Sequence, residues 1–239
     1  MWDRTLNVNK FAKYLDITSR RLPMADAHIV PWIGMGRDID GLYKDFPIPV
    51  SFTEDEEALG RLELRRMGIY EGDSYICFHS RTGDYLAREF KKIDFSYHDF
   101  RDSDIDSSFM AMQKIIDRGN FSIRMGAGID REISFDSPLF IDYAYKYRTD
   151  FMDIYMGANC KFFVGTSNGL TSIPRLYKKP IAWVNYISME RVHAWDENSM
   201  FILKKLWSKP EKRLLKFNEI LRSGIGDFRH GSQFEKAGI

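Results

Sequence analysis

Cysteine is scarce in this chain of 239 residues. Its two cysteines, Cys77 and Cys160, each lie inside an apolar run and lack the spacing of a metal knuckle or a redox motif. The sequence also lacks an H-E-x-x-H motif, a catalytic-triad pattern, and the glycine and glutamate of a calcium loop. We therefore expect two buried free thiols, no metal site and no other cofactor.

An excess of one charge is missing as well. The chain has 35 lysines and arginines against 34 aspartates and glutamates, and the two signs are interspersed. A protein that binds nucleic acid or an anionic membrane through its net charge carries a basic patch or stripe. We therefore expect no nucleic-acid partner, and any recognition of phosphate must be local.

Long apolar runs are also absent. No run approaches the ~18 apolar residues of a membrane-spanning helix, and the first four residues, M-W-D-R, lack the charged-then-apolar pattern of a signal peptide. We therefore expect a cytoplasmic protein. Hydrophobic residues make up 44% of the chain and aromatic residues 15%, so a packed core is expected and disorder is not.

A regular pattern begins at Thr53. This residue and the glutamate three positions later make a capping box, acidic residues fill the first helical turn, and Gly68 closes the helix. Leu59, Leu62 and Met67 are the predicted buried face. Strand and helix patterns then alternate as far as residue 184.

Short apolar runs between the helical patterns predict five strands. They lie at residues 75–78, 121–126, 139–143, 161–164 and 181–184. This alternation predicts an α/β domain with a Rossmann-like parallel sheet and helices on both faces. We divide the chain into an irregular amino-terminal segment (1–52), the Rossmann-like domain (53–225) and a tail (226–239) that is frayed from Gly231. Residues 188–213 are predicted as loop, with one more helix after them.

The first polar segment, H-S-R-T-G-D at residues 79–84, follows the first predicted strand. His79 and Arg81 are two positions apart on an extended chain, so their side chains leave on the same face. The planar guanidinium of Arg81 matches a phosphate group, and Asp84 can hold either side chain in place. The alternative interpretation is a salt-bridged strand end.

The second segment, G-T-S-N-G at residues 165–169, follows the fourth predicted strand. Gly165 lets the backbone approach a ligand, and Thr166, Ser167 and Asn168 supply polar groups at the start of a helix, where anions bind. The segment lacks the lysine of a Walker-type loop, so nucleotide hydrolysis of that kind is disfavoured. Taken alone, a segment of this kind is more often a turn and helix cap than a phosphate-binding loop.

Both segments fall at the carboxyl ends of strands in one predicted sheet, which is where open α/β sheets bind ligands. Together they predict a site for the diphosphate of a nucleotide sugar. Arg101, Asp102 and Ser103 lie just ahead of a helix, and Arg124 ends the next strand, so we expect these four residues to rim the same cleft. Helix capping is the alternative for Asp102 and Ser103.

Five segments of the chain resemble a bacterial family that is classed as glycosyltransferases and found among polysaccharide-biosynthesis proteins. They are residues 75–84, 97–105, 117–126, 140–144 and 150–184. The match covers roughly residues 50–222, and its most specific parts are 148–153 and 163–170. The H-x-R-x-x-D spacing that begins at His79 also resembles, more distantly, the α1,6- and peptide-O-fucosyltransferase group of GT-B fold.

The resemblance implies the donor-binding half of a GT-B enzyme, with Arg81 on the diphosphate and Thr166 and Ser167 adding hydrogen bonds. Thr82 stands where many fucosyltransferases have a second arginine, so the resemblance does not extend to GDP-fucose as the donor. A GT-B enzyme has two Rossmann-like halves. Only about 70 residues precede Tyr75, so either the chain is a shortened member or a partner chain completes the acceptor side.

The sequence thus predicts a metal-independent glycosyltransferase of surface-polysaccharide biosynthesis. Its donor is a nucleotide sugar, its acceptor is a glycan or a lipid-linked molecule, and Asp84 or Asp102 is the catalytic base. The expected substrate-binding residues are His79, Arg81, Arg101, Ser103, Arg124, Gly165, Thr166, Ser167 and Asn168. A non-catalytic nucleotide- or sugar-phosphate-binding module is the alternative. Peripheral attachment at the inner membrane is compatible with either function.

Overall fold

The computed structural model describes residues 8–25, 38, 42–45, 47–48, 50–193 and 196–239. The chain divides into two compact units, Met1–Arg37 and Asp38–Ile239. In the first unit, helix α1 spans Val8–Ser19, and Arg20 pairs with Asp16 at its end. The sequence W-I-G-M-G at residues 32–36 has the pattern of a strand that runs into a glycine turn, and it lies outside the described residues.

Among the described residues of the second unit, six strands form one parallel sheet. In chain order they are β1 (Tyr75–His79), β2 (Phe121–Arg124), β3 (Phe140–Ile141), β4 (Phe162–Gly165), β5 (Ile181–Tyr186) and β6 (Ser199–Leu203). Their order across the sheet is β3-β2-β1-β4-β5-β6, the doubly wound Rossmann arrangement. The predicted fold class is therefore confirmed.

Helices and a small hairpin surround this sheet. The α-helices are α2 (Leu42–Asp45), α3 (Glu54–Arg66), α4 (Asp84–Glu89), α5 (Phe109–Ile116), α6 (Tyr143–Lys146), α7 (Asp150–Asn159), α8 (Ser172–Leu176), α9 (Phe217–Ser223) and α10 (Gly231–Lys236). Short 3₁₀ helices lie at Ser96–Arg101, Ile105–Ser108, Met189–Arg191 and Ile225–Asp227. An antiparallel pair, β7 (Trp207–Ser208) and β8 (Arg213–Leu214), follows β6.

The sheet is buried on both faces. Along β1, Tyr75 and Cys77 point into one apolar cluster, and Ile76 and Phe78 point into another, because successive side chains of a strand alternate between faces. Helices α3 and α7 contribute to the first cluster and α5 to the second. The continuous apolar run of β1 is typical of a parallel strand covered on both sides. As predicted, Cys77 and Cys160 are buried and free.

Helix α3 begins as predicted, with both hydrogen bonds of the Thr53 capping box present. The predicted buried face was partly wrong, because Leu59 and Leu62 are 44% and 47% exposed. Gly60 is the buried residue of this helix, and it lies under the ring of Tyr155. The Tyr155 hydroxyl donates a hydrogen bond to Glu57 of the same helix at 3.0 Å. The side of α3 that faces α7 is therefore determined by the packing at Gly60 and not by the spacing of the leucines.

Replacing Gly60 with alanine is therefore expected to destabilise the protein. An added Cβ would lie 2.2 Å from the Tyr155 ring, which is buried and cannot turn aside freely. Overpacking of this kind costs about 1–3 kcal/mol, which exceeds the helix-propensity gain of about 1 kcal/mol. Urea unfolding of Gly60→Ala, with Leu59→Ala on the exposed side as the control, measures the loss. A Gly60→Ala variant more stable than the wild type would contradict this packing.

The carboxyl-terminal part of the chain departs most from the sequence prediction. Residues 188–213 were predicted as loop, but they contain β6 and begin the β7–β8 hairpin, so 181–184 does not close the sheet. Beyond Gly231 the chain forms α10 instead of a frayed tail. Phe234 is buried there with Leu206 and Ile220, which anchors the helix. The domain boundaries at 52/53 and 225/226 remain a prediction.

Candidate functional site

The two polar segments meet at the switch point of the sheet. Strands β1 and β4 are neighbours, and His79 at the end of β1 pairs in register with Gly165 at the end of β4. The chain leaves these two strands toward opposite sides of the sheet, which opens a crevice beyond their carboxyl ends. Residues about 85 positions apart in sequence are thereby brought together.

Hydrogen bonds fasten the segments to each other. The Arg81 amide donates to the Thr166 hydroxyl oxygen at 2.9 Å, and the Thr166 amide donates to the His79 carbonyl at 3.3 Å. Thr166 is 0% exposed. Its hydroxyl group is thus engaged in joining the two strand ends, and in this structure it does not reach the crevice.

Gly165 is also a packing position. A Cβ at this residue would lie 2.7 Å from the ring of Phe163 and 3.0 Å from the Thr171 methyl group. The absent side chain lets β4 pack closely against the start of the next helix. Gly165, which was predicted to contact the ligand, therefore lies behind the crevice.

A cavity of about 640 Å³ occupies the crevice. We call it the switch-point cavity. Its lining includes five residues predicted as ligand-binding: His79, Arg81, Arg101, Ser167 and Asn168. It also includes apolar side chains, among them Leu86, Leu170 and Ile173. Asn168 is partly engaged, because its amide nitrogen donates to the Thr166 carbonyl at 2.7 Å.

Arg81 is the most buried charged side chain of this cavity, with 6% exposed. One guanidinium nitrogen, Nη1, pairs with Asp102 and donates to the His98 carbonyl at 3.3 Å. The other, Nη2, is buried and has no hydrogen-bond partner among the described residues. Burial lowers the pKa of Arg81, yet arginine remains charged at neutral pH. An unpaired buried donor on a cation is costly, which indicates a site for an anion.

Arg101 reinforces this indication. Its Nε is buried without a hydrogen-bond partner among the described residues. Burial, with the nearby charges of Arg81 and Arg191, lowers the pKa of Arg101 to about 10. Burial, with the charges of Arg101, Arg81, His230 and Arg191, lowers the pKa of His98 to about 4. Several cationic groups therefore lie close enough to repel one another, and a bound anion would relieve that repulsion.

His79 lies at the floor of the cavity. Its Nδ1 is 3.3 Å from the amide nitrogen of Asn168. Burial, together with the charges of Arg124 and Arg81, lowers the pKa of His79 to about 4. The imidazole is neutral at pH 7, so it contributes a hydrogen bond to the site and not a charge.

This lowered pKa predicts an acid-sensitive fold. The unfolded chain binds a proton at His79 near pH 6.5, whereas the folded chain does so only near pH 4. The stability that His79 contributes is therefore present above pH 6.5 and is lost as the pH falls toward 4. Urea unfolding between pH 7 and pH 4.5 should show a shallower decline for His79→Gln than for the wild type. A His79 resonance that titrates near 6.5 by NMR would contradict the assignment.

Arg124 is held by a buried ion pair at the end of β2. Its Nη1 donates to Asp142 at 3.0 Å and to the Arg131 carbonyl at 2.7 Å, and both members of the ion pair are buried. Asp142 also accepts the Ile133 amide at 2.8 Å. The guanidinium thus ties β2 to the start of α6. Since the partner aspartate lies 18 residues further along, the sequence pattern at the strand end did not reveal this pairing.

A second cavity, of about 620 Å³, adjoins the first and shares Ser80, Thr82 and Ile129 with it. We call it the adjoining cavity. Its lining includes Asp84, Asp102, Ser103 and Arg124. The Ser103 hydroxyl has no hydrogen-bond partner among the described residues, and its amide donates to the Arg81 carbonyl at 3.1 Å. The two carboxylates that the sequence predicted as catalytic thus both line the adjoining cavity.

The structure also settles which carboxylate holds Arg81. The sequence favoured Asp84, but the ion pair is formed by Asp102, from the end of the 3₁₀ helix Ser96–Arg101. Asp84 begins α4, is exposed, and has no ion pair among the described residues. The two aspartates therefore have different surroundings.

The sequence prediction did not include three charged residues that line the switch-point cavity. Arg148 forms ion pairs with Asp150 at 2.7 Å and with Asp153 at 2.9 Å, and all three line the switch-point cavity. The Tyr143 hydroxyl donates to Asp153 at 2.9 Å, and burial raises the pKa of Asp153. The signal was present in the 148–153 segment, which was noted only for its resemblance.

Neither a metal centre nor a membrane span is found among the described residues. No group of three or more histidine, cysteine, aspartate or glutamate side chains there is placed to hold a metal ion. Within the same residues, every helix is too short or too polar to cross a bilayer.

No family model matches the sequence, and no curated protein matches it. Among solved structures, the chain is similar to ADP-heptose LPS heptosyltransferase II of E. coli, with 17% identity and a TM-score of 0.44. The alignment covers 68% of this chain and 48% of the heptosyltransferase, so the chain spans about half the length of that protein. A structural similarity this low gives no information about the substrate. The function is therefore inferred from the switch-point cavity.

Proposed function

We propose that the protein binds a nucleoside diphosphate sugar in the switch-point cavity and transfers the sugar to a glycan or lipid-linked acceptor. The observation that carries this proposal is a pair of buried guanidinium nitrogens at the cavity, Nη2 of Arg81 and Nε of Arg101, which have no hydrogen-bond partner within the described part of the chain. Guanidinium groups match the oxygens of a phosphate, and the position is where doubly wound sheets bind nucleotides.

The size and lining of the cavity support a nucleotide-sized ligand. A volume of about 640 Å³ lies within the range of small-molecule sites. The arginines and Ser167 provide donors for the diphosphate, and the apolar side chains of Leu170 and Ile173 offer a surface for the nucleobase. We assign no phosphate contact to Thr166, Gly165 or Arg124, because other groups in the protein already engage them.

The proposed transfer needs a base and a stabilised leaving group. The acceptor oxygen attacks the anomeric carbon, the bond from that carbon to the diphosphate oxygen breaks, and the acceptor proton passes to a carboxylate. Arg81 and Arg101 stabilise the negative charge on the departing diphosphate. We favour Asp84 as the base, since Asp102 is engaged by Arg81. The adjoining cavity is the proposed entry for the acceptor, with Ser103 on its wall.

One observation favours the alternative of a non-catalytic binding module. Asp84 is exposed, and the adjoining cavity is open to solvent. An acceptor bound there needs further cover to exclude water from the reaction. A partner chain that completes the acceptor side would supply that cover, and the isolated chain would then bind the donor without turnover.

A ligand panel tests the proposal. UDP-, GDP-, ADP- and CMP-sugars are mixed with the protein, with and without EDTA, while the melting temperature and the release of free sugar are recorded. A ligand at 100 times its Kd stabilises the native state by about 2.7 kcal/mol, so a bound donor is readily seen. A shift with slow sugar release, unchanged by EDTA, supports a metal-independent transferase. A shift without release supports the binding module, and no shift with any donor contradicts both.

A further inference from the structure

Lys204 makes a long-range contact with the backbone beside the anion site. It directly follows β6, and its own amide donates to the Tyr186 carbonyl of β5 at 2.8 Å. Its side chain is partly buried, and the ammonium group donates to the Phe100 carbonyl at 2.9 Å and to the Asp102 carbonyl at 2.7 Å. These acceptors lie 104 and 102 positions earlier in the chain.

The two carbonyls flank Arg101. The side chain of Arg101 lines the switch-point cavity, and the side chain of Asp102 pairs with Arg81. Both of the residues proposed to bind the diphosphate therefore depend on the path of this short backbone stretch. Lys204 itself is absent from the lining of both cavities.

The stretch is packed through the Phe100 ring, whose centroid lies 4.9 Å from that of Phe234 in α10. It ends a six-residue 3₁₀ helix, Ser96–Arg101, in which hydrogen-bond geometry is poorer than in an α-helix. Its local hydrogen bonds include the Asp102 amide to the Asp99 carbonyl, at 2.8 Å. The Lys204 ammonium bridges the carbonyls of Phe100 and Asp102 and thereby fixes the direction of this stretch from the end of β6.

We propose that Lys204 is a positioning residue of the diphosphate site, and this inference rests on the proposed function. It holds the backbone of residues 100–102 against the end of β6, so that Arg101 and the Arg81–Asp102 pair present their donors to the ligand. It acts through these residues and does not touch the ligand. Burial lowers the pKa of Lys204, and the two carbonyls replace the water that its ammonium has lost.

The test is a double-mutant cycle between Lys204→Met and Arg101→Ala. Calorimetry measures the affinity of each variant for GDP, UDP and inorganic pyrophosphate, and Lys205→Met, at the exposed neighbouring lysine, is the matched control. Lys204→Met is expected to weaken binding of the tightest probe at least ten-fold in the wild type and by a smaller factor in the Arg101→Ala background, where only the effect through the Arg81–Asp102 pair remains. Lys204→Arg should recover most of the affinity, and Lys205→Met should leave it unchanged.

The outcomes distinguish a failure of the positioning inference from a failure of the proposed function. If the wild type binds and Lys204→Met binds equally well, or if its effect is fully additive with Arg101→Ala, the positioning inference is wrong and the proposed function stands. If the wild type binds none of the three probes, the proposed function fails and the inference fails with it. Where Lys204→Met does not fold, Lys204→Gln is judged by the same criteria.

Discussion

Replacing Arg81 with alanine is expected to weaken binding of a nucleoside diphosphate by about 100-fold or more. The variant loses charge-assisted hydrogen bonds, each worth about 1.5–3 kcal/mol, and a factor of ten in affinity corresponds to about 1.4 kcal/mol. It also leaves the Asp102 carboxylate without its partner beside the ligand. Isothermal titration with the tightest nucleotide of the panel measures the loss.

Two further variants separate charge from geometry. Arg81→Lys keeps the positive charge but loses the planar fork, so we expect an affinity between those of the wild type and the alanine variant. Arg118→Ala removes an exposed arginine from the turn that follows α5, outside the lining of both cavities, and should bind as the wild type does. Wild-type affinity in Arg81→Ala would show that the Arg81 guanidinium is not a ligand-binding group.

Replacing Arg124 with methionine is expected to cause the largest loss of stability. It leaves Asp142 as a buried charge without its cation, and the second carboxylate oxygen of Asp142 already lacks a hydrogen-bond partner among the described residues. Breaking a buried ion pair costs about 3–5 kcal/mol, and domains are typically stable by only about 5–15 kcal/mol. Urea unfolding at pH 7 measures the change.

The matched control is the double variant Arg124→Met with Asp142→Leu. Removing both charges should recover much of the lost stability, although the Ile133 amide then loses its acceptor. Ligand affinity of the folded fraction should stay close to that of the wild type in both variants. A stable Arg124→Met protein that no longer binds nucleotide would instead show that Arg124 belongs to the ligand-binding site, as the sequence predicted.

Much of the fold follows from local sequence signals. The apolar run at 75–78 predicted β1 because a strand buried on both faces must be apolar throughout. The alternation of strand and helix fixed a parallel sheet, and the carboxyl ends of parallel strands lie on one edge. For that reason the two polar segments at 79–84 and 165–169 were correctly expected to meet. Local signals were less informative at β6, whose five residues follow a charged stretch.

The partners of individual side chains could not be obtained in the same way. Asp102 holds Arg81, and Asp142 holds Arg124, because the sheet order and the helix directions bring them together across 21 and 18 positions. No local pattern distinguishes a strand-end arginine that faces a ligand from one that is held by a buried carboxylate. Gly60 shows the same limit, since its importance depends on a tyrosine almost a hundred residues away.

The central claim is that a diphosphate binds at the switch point of the sheet, between the ends of β1 and β4. A crystal structure with the tightest nucleoside diphosphate tests it most directly. We predict phosphate oxygens at about 3 Å from the Arg81 guanidinium, with further contacts from Arg101 and Ser167. A nucleotide bound elsewhere, with Arg81 Nη2 still lacking an acceptor, would contradict the account.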